Sequence, residues 1–397
     1  MTSYSTYANG QYFTSFNDPT KSVFWQSGRK FLILCRCLGC STLTKPEAVG
    51  LKRFLKLYSA VVGLFLLGVL IRQLTMFDAN DKFGTTIIFK LTLVFYYILA
   101  LICWIWSHLS QSWLCQCKKG FDHVPSYLKI DEAGSPPACA KMATTFYFYL
   151  TIFLTSGCVL LIILSVYDVI HLSYVPLMFG SSQVGKALML LPTLYATGCI
   201  QASVGLQAVI AFLIRGMIRR FNNEVVSKLM PETKQVKAVR KSYQSLMDVV
   251  NEINKTWSWF YFIADGLLIT SLCGCLFLIA RAAYVGEKLL ATFWVGICLQ
   301  LMAQINIPPM MTNEESARSV VELLRRCNEF MEFDSDCESS PEKMKAEQYL
   351  TRLIQQMTLT RTEVSTAAFF PITRSTLLTV ASIVLSYFII ILQFAMS

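Results

Sequence analysis

The stretch STLLTVASIVLSYFIIILQFAMS, residues 375–397, decides which fold the sequence predicts. It contains no charged residue and is long enough to cross a bilayer as a helix, which takes about 20 residues. It nevertheless carries a glutamine and a row of hydroxyl side chains. Because an amide that faces lipid is costly, part of this segment is expected to face protein or water.

The rest of the sequence has the same membrane character. Of its 397 residues, 54% are hydrophobic and only 15% are charged, which is far less charge than a soluble surface normally carries. The long apolar blocks predict an all-α polytopic membrane protein with seven transmembrane helices. We place the spans at residues 54–76, 84–107, 144–171, 185–214, 258–283, 288–308 and 375–395.

The distribution of Lys and Arg predicts the orientation. The N-terminal segment and the loops after spans two, four and six hold seven, four, nine and eight basic residues, 28 in all, whereas the remaining segments hold four. The positive-inside rule therefore predicts a multi-pass plasma-membrane protein with a cytoplasmic N-terminus and an extracellular C-terminus. The same distribution argues that the net charge of +10 does not serve nucleic-acid binding.

Cysteine positions agree with this topology. Eight of the 14 cysteines lie in segments assigned to the cytoplasm and six lie within spans, so no extracellular disulfide is expected. The motifs CRCLGC and CQC hold enough thiols for zinc, but their spacing favours palmitoylation or free thiols instead. We predict no metal and no cofactor.

The predicted organisation has four parts. Residues 1–53 form a cytoplasmic segment, 54–308 hold spans one to six with cytoplasmic helical extensions, 309–371 hold a loop and an anchor helix, and 372–397 hold the last span. The inner helices have apolar faces that need partners, either within one subunit or on a neighbouring subunit. The sequence pattern leaves both possibilities open.

In the last span, most of the polar side chains share one face. At 100° per residue they fall within an arc of roughly 60°. They are Ser375, Thr379, Ser382, Ser386, Gln393 and Ser397. Small hydroxyl residues at this spacing are common where membrane helices pack closely, which the pattern alone favours. The alternative is a water-lined pore, which needs several copies of the helix around an axis.

A short motif bears on whether this polar face packs against another helix or lines a pore. Ser386 and Tyr387, five apolar residues, and then Gln393 and Phe394 resemble the C-terminal signature of insect gustatory receptors, which is Thr-Tyr, five hydrophobic residues and Gln-Phe. The length and inverted seven-span topology match that family along nearly the whole chain. The resemblance implies a ligand-gated, non-selective cation channel that assembles as a tetramer or with related subunits.

The resemblance also implies roles for particular segments. The pore helix becomes residues 372–394 and the anchor helix residues 343–363, with the anchor joining the subunits. The implied pore-facing residues are Ser386, Ile389, Ile390, Gln393 and Phe394. A ring of isoleucines or phenylalanines would close such a pore by dewetting it, and rotation of the helix would bring the Gln393 amides to the axis.

A small-molecule tastant is expected to bind in the outer half of the bundle. The candidate residues are Lys90, Tyr97, Tyr167, Asp168, His171, Tyr195, Tyr284 and Trp294. An acid beside aromatic rings suits a sugar or an amine, whereas the alternative is that these residues belong to the interfacial aromatic belt. Deeper polar residues are expected to bond to one another or to couple the ligand site to the anchor: Gln201, Gln207, Asp265, Gln300, Gln304 and Asn306.

Two other seven-span classes fit less well. A G-protein-coupled receptor needs an extracellular N-terminus, and the last span has no NPxxY-like motif. An intramembrane zinc hydrolase needs clustered histidines, but His108 and His123 are predicted on the inner side and His171 on the outer side. The sequence therefore predicts a receptor channel and not an enzyme.

Overall fold

A computed structural model describes most of the chain. The described residues are 33, 37, 49–75, 77, 85–109, 138–167, 169, 190–226, 233–332, 341–359, 363–366 and 370–396. Their longer helices are α1 (Val49–Thr75), α2 (Thr85–Leu109), α3 (Ala138–Val166), α4 (Leu190–Arg220), α5 (Thr233–Arg281), α6 (Val285–Glu332), α7 (Pro341–Leu359) and α8 (Arg374–Met396). The helix α4 continues as a π-helical turn over Phe221–Val226.

The predicted all-α polytopic fold is confirmed. Six helices, α1 to α6, are long and apolar enough to cross a membrane. The last predicted span is α8, which has 23 residues and an apolar segment over Arg374–Ile390. The helices α5 and α6 have 49 and 48 residues, so each is about 70 Å long and extends well beyond a hydrocarbon core of about 30 Å.

The helix α6 continues through Pro308 and Pro309, where the predicted sixth span ends. Proline removes a backbone N–H, so a helix needs other contacts to tolerate it. Thr312 Oγ1 lies 2.8 Å from the Pro308 carbonyl oxygen and 2.9 Å from the carbonyl oxygen of Ala211 in α4. This hydroxyl links the proline turn to the neighbouring helix.

The central element is α4. Of its apolar window, 94% is buried inside the bundle, and it packs against α2, α3 and α6. Close approach of α1 to α2 depends on Gly63, where an added Cβ would lie 2.5 Å from the Trp104 ring. Small residues at helix contacts are expected in membrane bundles, because they let backbones come close together.

The segment that leads into α8 differs from its prediction. The predicted anchor helix at 343–363 ends at Leu359, and the chain then forms two short antiparallel strands, β1 (Ser365–Thr366) and β2 (Phe370–Pro371). A capping box begins α8, because the Thr376 amide lies 3.3 Å from Thr373 Oγ1 and the Thr373 amide lies 3.3 Å from Thr376 Oγ1.

Candidate pore helix and ligand-binding region

The helix α8 lies at the edge of the bundle and packs mainly on α5. Its partly buried residues recur every three or four positions, which marks a single packing face. They include Leu377, Val380, Val384 and Phe388. The Val384 carbonyl oxygen lies 3.8 Å from Cys273 Sγ of α5. The same face borders a cavity of about 330 Å³ between α5, α6 and α8, with an apolar lining.

The polar strip of α8 lies on its opposite side. All five of its described members are exposed in the single subunit: Ser375, Thr379, Ser382, Ser386 and Gln393. At 100° per residue they stand about 160° to 220° around the helix from Val384. Ile389 and Ile390, near the same side, are 45% and 44% exposed. The strip therefore does not pack on the subunit's own helices.

Tyr387 and Phe394 are the two remaining residues of the C-terminal motif. Tyr387 is 56% exposed. The backbone of Phe394 belongs to α8, but its side chain lies outside the described residues. The roles of these two residues and of the polar strip stay predictions from the sequence.

The ligand candidate Trp294 of α6 packs on aromatic side chains of α2. Its ring stacks between Phe89, with centroids 5.9 Å apart, and Tyr96, with centroids 5.8 Å apart. Tyr96 also meets Tyr97 edge to face at 6.3 Å, and its hydroxyl lies 2.6 Å from Thr197 Oγ1 of α4. We name Phe89, Tyr96 and Trp294 the aromatic stack.

Sequence reasoning missed Phe89 and Tyr96. A usable signal was present, because residues seven apart lie on the same side of a helix after about two turns. The neighbouring candidates are also buried, Lys90 to 7% exposure and Tyr97 to 1%. Lys90 Nζ lies 5.8 Å from the centroid of the Phe77 ring.

Other ligand candidates lie elsewhere. The Tyr195 hydroxyl is 3.0 Å from that of Tyr58 in α1, and its ring meets Phe65 edge to face at 5.9 Å. Tyr167, just after α3, is 74% exposed, and Tyr284 is 46% exposed. The candidates Asp168 and His171 lie outside the described residues. The structure thus stacks Trp294 of α6 on Phe89 and Tyr96 of α2, which were not among the candidates, and directs Tyr195 towards α1.

Most of the deep polar residues bond to one another. Gln201 Nε2 donates to Gln304 Oε1 at 3.0 Å. Gln300 Nε2 lies 3.4 Å from Gln201 Oε1 and donates to the Tyr147 carbonyl of α3 at 3.1 Å. Together these amides join α3, α4 and α6 at the centre of the bundle, where unpaired polar groups would be costly.

Three further deep residues complete this set. Asn306 Nδ2 donates to Asp265 Oδ1 at 2.8 Å, which joins α6 to α5. Gln207 differs, because neither its oxygen nor its nitrogen has a hydrogen-bond partner among the described residues. Within the same described residues, no group of three His, Cys, Asp or Glu side chains could hold a metal ion.

Comparison with known proteins gives one family and one fold. The model of the family described as 7tm chemosensory receptor matches residues 29–397. The structure of the insect olfactory receptor OR5 from Machilis hrabei in complex with eugenol superposes with a TM-score of 0.73 at 13% identity, and covers 92% of this chain and 97% of that one. A second structure of OR5, whose description names no ligand, has a TM-score of 0.63 at 12% identity, with the same coverage.

One curated relative aligns with about half of the chain. The chain is 21% identical over 213 residues to High-energy light unresponsive protein 1 of Caenorhabditis elegans. That match covers 50% of this chain and 47% of the relative, so the two sequences align over about half of their lengths.

Proposed function

Because the chain belongs to the 7tm chemosensory receptor family, whose model matches residues 29–397, we propose that it is a gustatory receptor. It acts as a ligand-gated, non-selective cation channel that a small-molecule tastant opens. The channel is a tetramer of this chain or a co-assembly with related subunits, in the plasma membrane. Nothing in the comparisons favours the alternative of a G-protein-coupled receptor.

The exposed polar strip of α8 carries this proposal. In an isolated subunit, five polar side chains on a membrane helix would meet lipid, which is costly for the Gln393 amide above all. Four copies of α8 around an axis would turn the strips towards each other and towards water. A single helix cannot enclose a pore, so a pore requires such an assembly.

The gate follows from the apolar positions near the strip. Ile389 and Ile390 are about half exposed and interrupt the polar strip between Ser386 and Gln393. Four such side chains around a narrow axis would dewet the pore and block ions without a plug. The sequence of α8 has no acidic residue, so the open pore should select weakly among cations.

The aromatic stack supports a ligand site between α2 and α6. Stacked rings beside a polar group, here the Tyr96 hydroxyl, are typical of sites for small organic molecules. The insect olfactory receptor OR5, whose fold is similar, has been solved in complex with eugenol. A ligand can open the channel only as far as it binds the open state more tightly than the closed state.

The proposed orientation has a cytoplasmic N-terminus. It rests on the 28 Lys and Arg residues in the segments assigned to the cytoplasm against four in the others. Epitope tags at both ends, stained in unpermeabilised cells, test it directly. Surface labelling of the N-terminal tag would contradict this orientation and would favour the alternative of a G-protein-coupled receptor.

Electrophysiology tests the pore. The chain is expressed alone in cells that lack related receptors, a panel of small molecules is screened by calcium imaging, and currents are recorded from responders. Gln393→Ala should change ion selectivity or block, and Ile390→Ala should raise the resting leak. The control Leu392→Ala changes a partly buried residue at the same depth but off the strip, and should do neither. If Gln393→Ala and Ile390→Ala both match wild type in selectivity, block and resting leak, the pore assignment is wrong.

A further inference from the structure

The connection between α7 and α8 is held by side chains from two other helices. This connection contains the paired strands β1 and β2, and its ends meet where the Ile372 amide donates to the Val364 carbonyl at 3.2 Å. Val364 and Ile372 are both buried, at 1% and 0% exposure. We name residues 363–366 and 370–372 the hairpin.

Asn313 of α6 bonds to both ends of the hairpin. Its Nδ2 donates to the carbonyl oxygens of Val364 and Ile372, each at 2.9 Å. Its Oδ1 accepts from the Val364 amide at 2.7 Å. The side chain is 5% exposed, so water cannot readily replace these bonds. One asparagine therefore closes the base of the hairpin.

Asn254 of α5 binds the same segment. Its Nδ2 donates to the Glu363 carbonyl at 2.7 Å, and its Oδ1 accepts from the Ser365 amide at 3.1 Å. An irregular buried segment needs partners for its backbone groups. Here α5 and α6 supply such partners in addition to the bonds within the hairpin.

A third contact lies at the first residue of α8. Arg374 donates to Glu314 of α6 through Nε at 2.5 Å and through a terminal nitrogen at 3.3 Å. Glu314 directly follows Asn313, so α6 contacts both the hairpin and the start of α8. The same continuous helix carries Trp294 of the aromatic stack, about 28 Å further along its axis.

We propose that Asn254 and Asn313 are positioning residues that fix the start of α8 to α5 and α6, so that movement of these two helices reaches the pore helix through the hairpin. This inference rests on the proposed channel function. The asparagines would act on opening and not on conduction, because neither is on the polar strip. Both use a side-chain amide to bond to backbone groups of the hairpin, Asn254 from α5 and Asn313 from α6.

Hydrogen exchange of the whole purified chain tests the contacts without any ligand. Asn313→Ala and Asn254→Ala should each raise amide exchange in residues 363–373 about tenfold, since each removes two or three hydrogen bonds. Asn313→Asp places a carboxylate oxygen against the carbonyl oxygens of Val364 and Ile372, so it should raise exchange at least as much as Asn313→Ala. Asn254→Ala, at a partly buried residue, keeps the test decisive if Asn313→Ala fails to fold.

Gln356→Ala is the matched control. Gln356 joins α7 to α5 through Arg240 and Gln244, at 3.0 and 2.9 Å, and these bonds do not involve the hairpin. This variant should leave exchange in residues 363–373 unchanged, and exchange in α4 should be unchanged in every variant. If hairpin exchange in the asparagine variants is no faster than in this control, the proposal is overturned.

Single-channel recording tests the transmission of movement. Asn313→Ala should change the open probability and leave the unitary conductance as in wild type, because the pore-lining residues are untouched. A purely structural role would change only the number of channels, and that result overturns the inference. Absence of any wild-type current would overturn the proposed channel function, and with it the transmission of helix movement to the pore. The hydrogen-exchange experiment would still decide whether the two asparagines hold the hairpin in place.

Discussion

Replacing Asn306 of α6 with leucine should lower the free energy of unfolding more than replacing its hydrogen-bond partner Asp265 of α5 with leucine. Asn306 Nδ2 donates both to Asp265 Oδ1 at 2.8 Å and to the Met302 carbonyl at 3.0 Å. Both side chains are buried, Asp265 to 9% exposure and Asn306 to 1%. The pair is thus asymmetric, because the amide has a second partner within its own helix.

The asymmetry sets the magnitudes. Asn306→Leu leaves a buried carboxyl without this donor, which should cost about 1–3 kcal/mol of unfolding free energy. Asp265→Leu leaves Asn306 bonded to the Met302 carbonyl, so it should cost about 0.5–1.5 kcal/mol. The double variant leaves no unpaired carboxyl, so its loss should fall short of the sum of the two single losses by about 1 kcal/mol.

Thermal unfolding in detergent with a thiol-reactive dye measures these losses. Buried cysteines such as Cys103, Cys199 and Cys275 become reactive only when the bundle opens. For a chain of this length, 1 kcal/mol corresponds to a shift on the order of 1 °C, so replicate scans at one fixed rate are needed. An Asn306→Leu midpoint equal to wild type, a larger loss in Asp265→Leu, or additive losses in the double variant would refute this reasoning.

Three further predictions use the same preparations. Gly63→Leu should cost about 1–3 kcal/mol in the dye assay, because a Cβ there would lie 2.5 Å from the Trp104 ring. A hydrogen bond from Arg325 lowers the pKa of Glu322 in α6, so this stabilisation is present above the unfolded-state pKa and is lost as pH falls through the folded-state pKa. Amide exchange at the end of α6 should follow that loss, and Glu322→Gln should abolish the pH dependence. Ala381→Leu should leave the unfolding midpoint unchanged or raise it, since Ala381 borders the cavity of about 330 Å³.

Local patterns along the chain were enough to predict the membrane class, the helices and the polar strip. Bilayer thickness requires about 20 apolar residues per span, and one polar face follows from 100° per residue, so both are local properties that can be counted along the chain. The extension of α5 and α6 beyond the bilayer could likewise be predicted from their continuing helical periodicity. The family resemblance of the C-terminal motif agrees with the family match over residues 29–397.

The packing of the bundle sets which surfaces these elements contact. The Val384 side of α8 faces α5 and the polar strip is exposed. Which side faces α5 depends on residues of α5 that are distant in sequence. The packing also ended α7 at Leu359 and formed a hairpin, because Asn254 and Asn313 bond to backbone groups there. It also brought Trp294 between two rings of α2 and sent Tyr195 to α1. Contacts between helices far apart in the chain leave no periodic signal, so their partners become visible only when the bundle is packed.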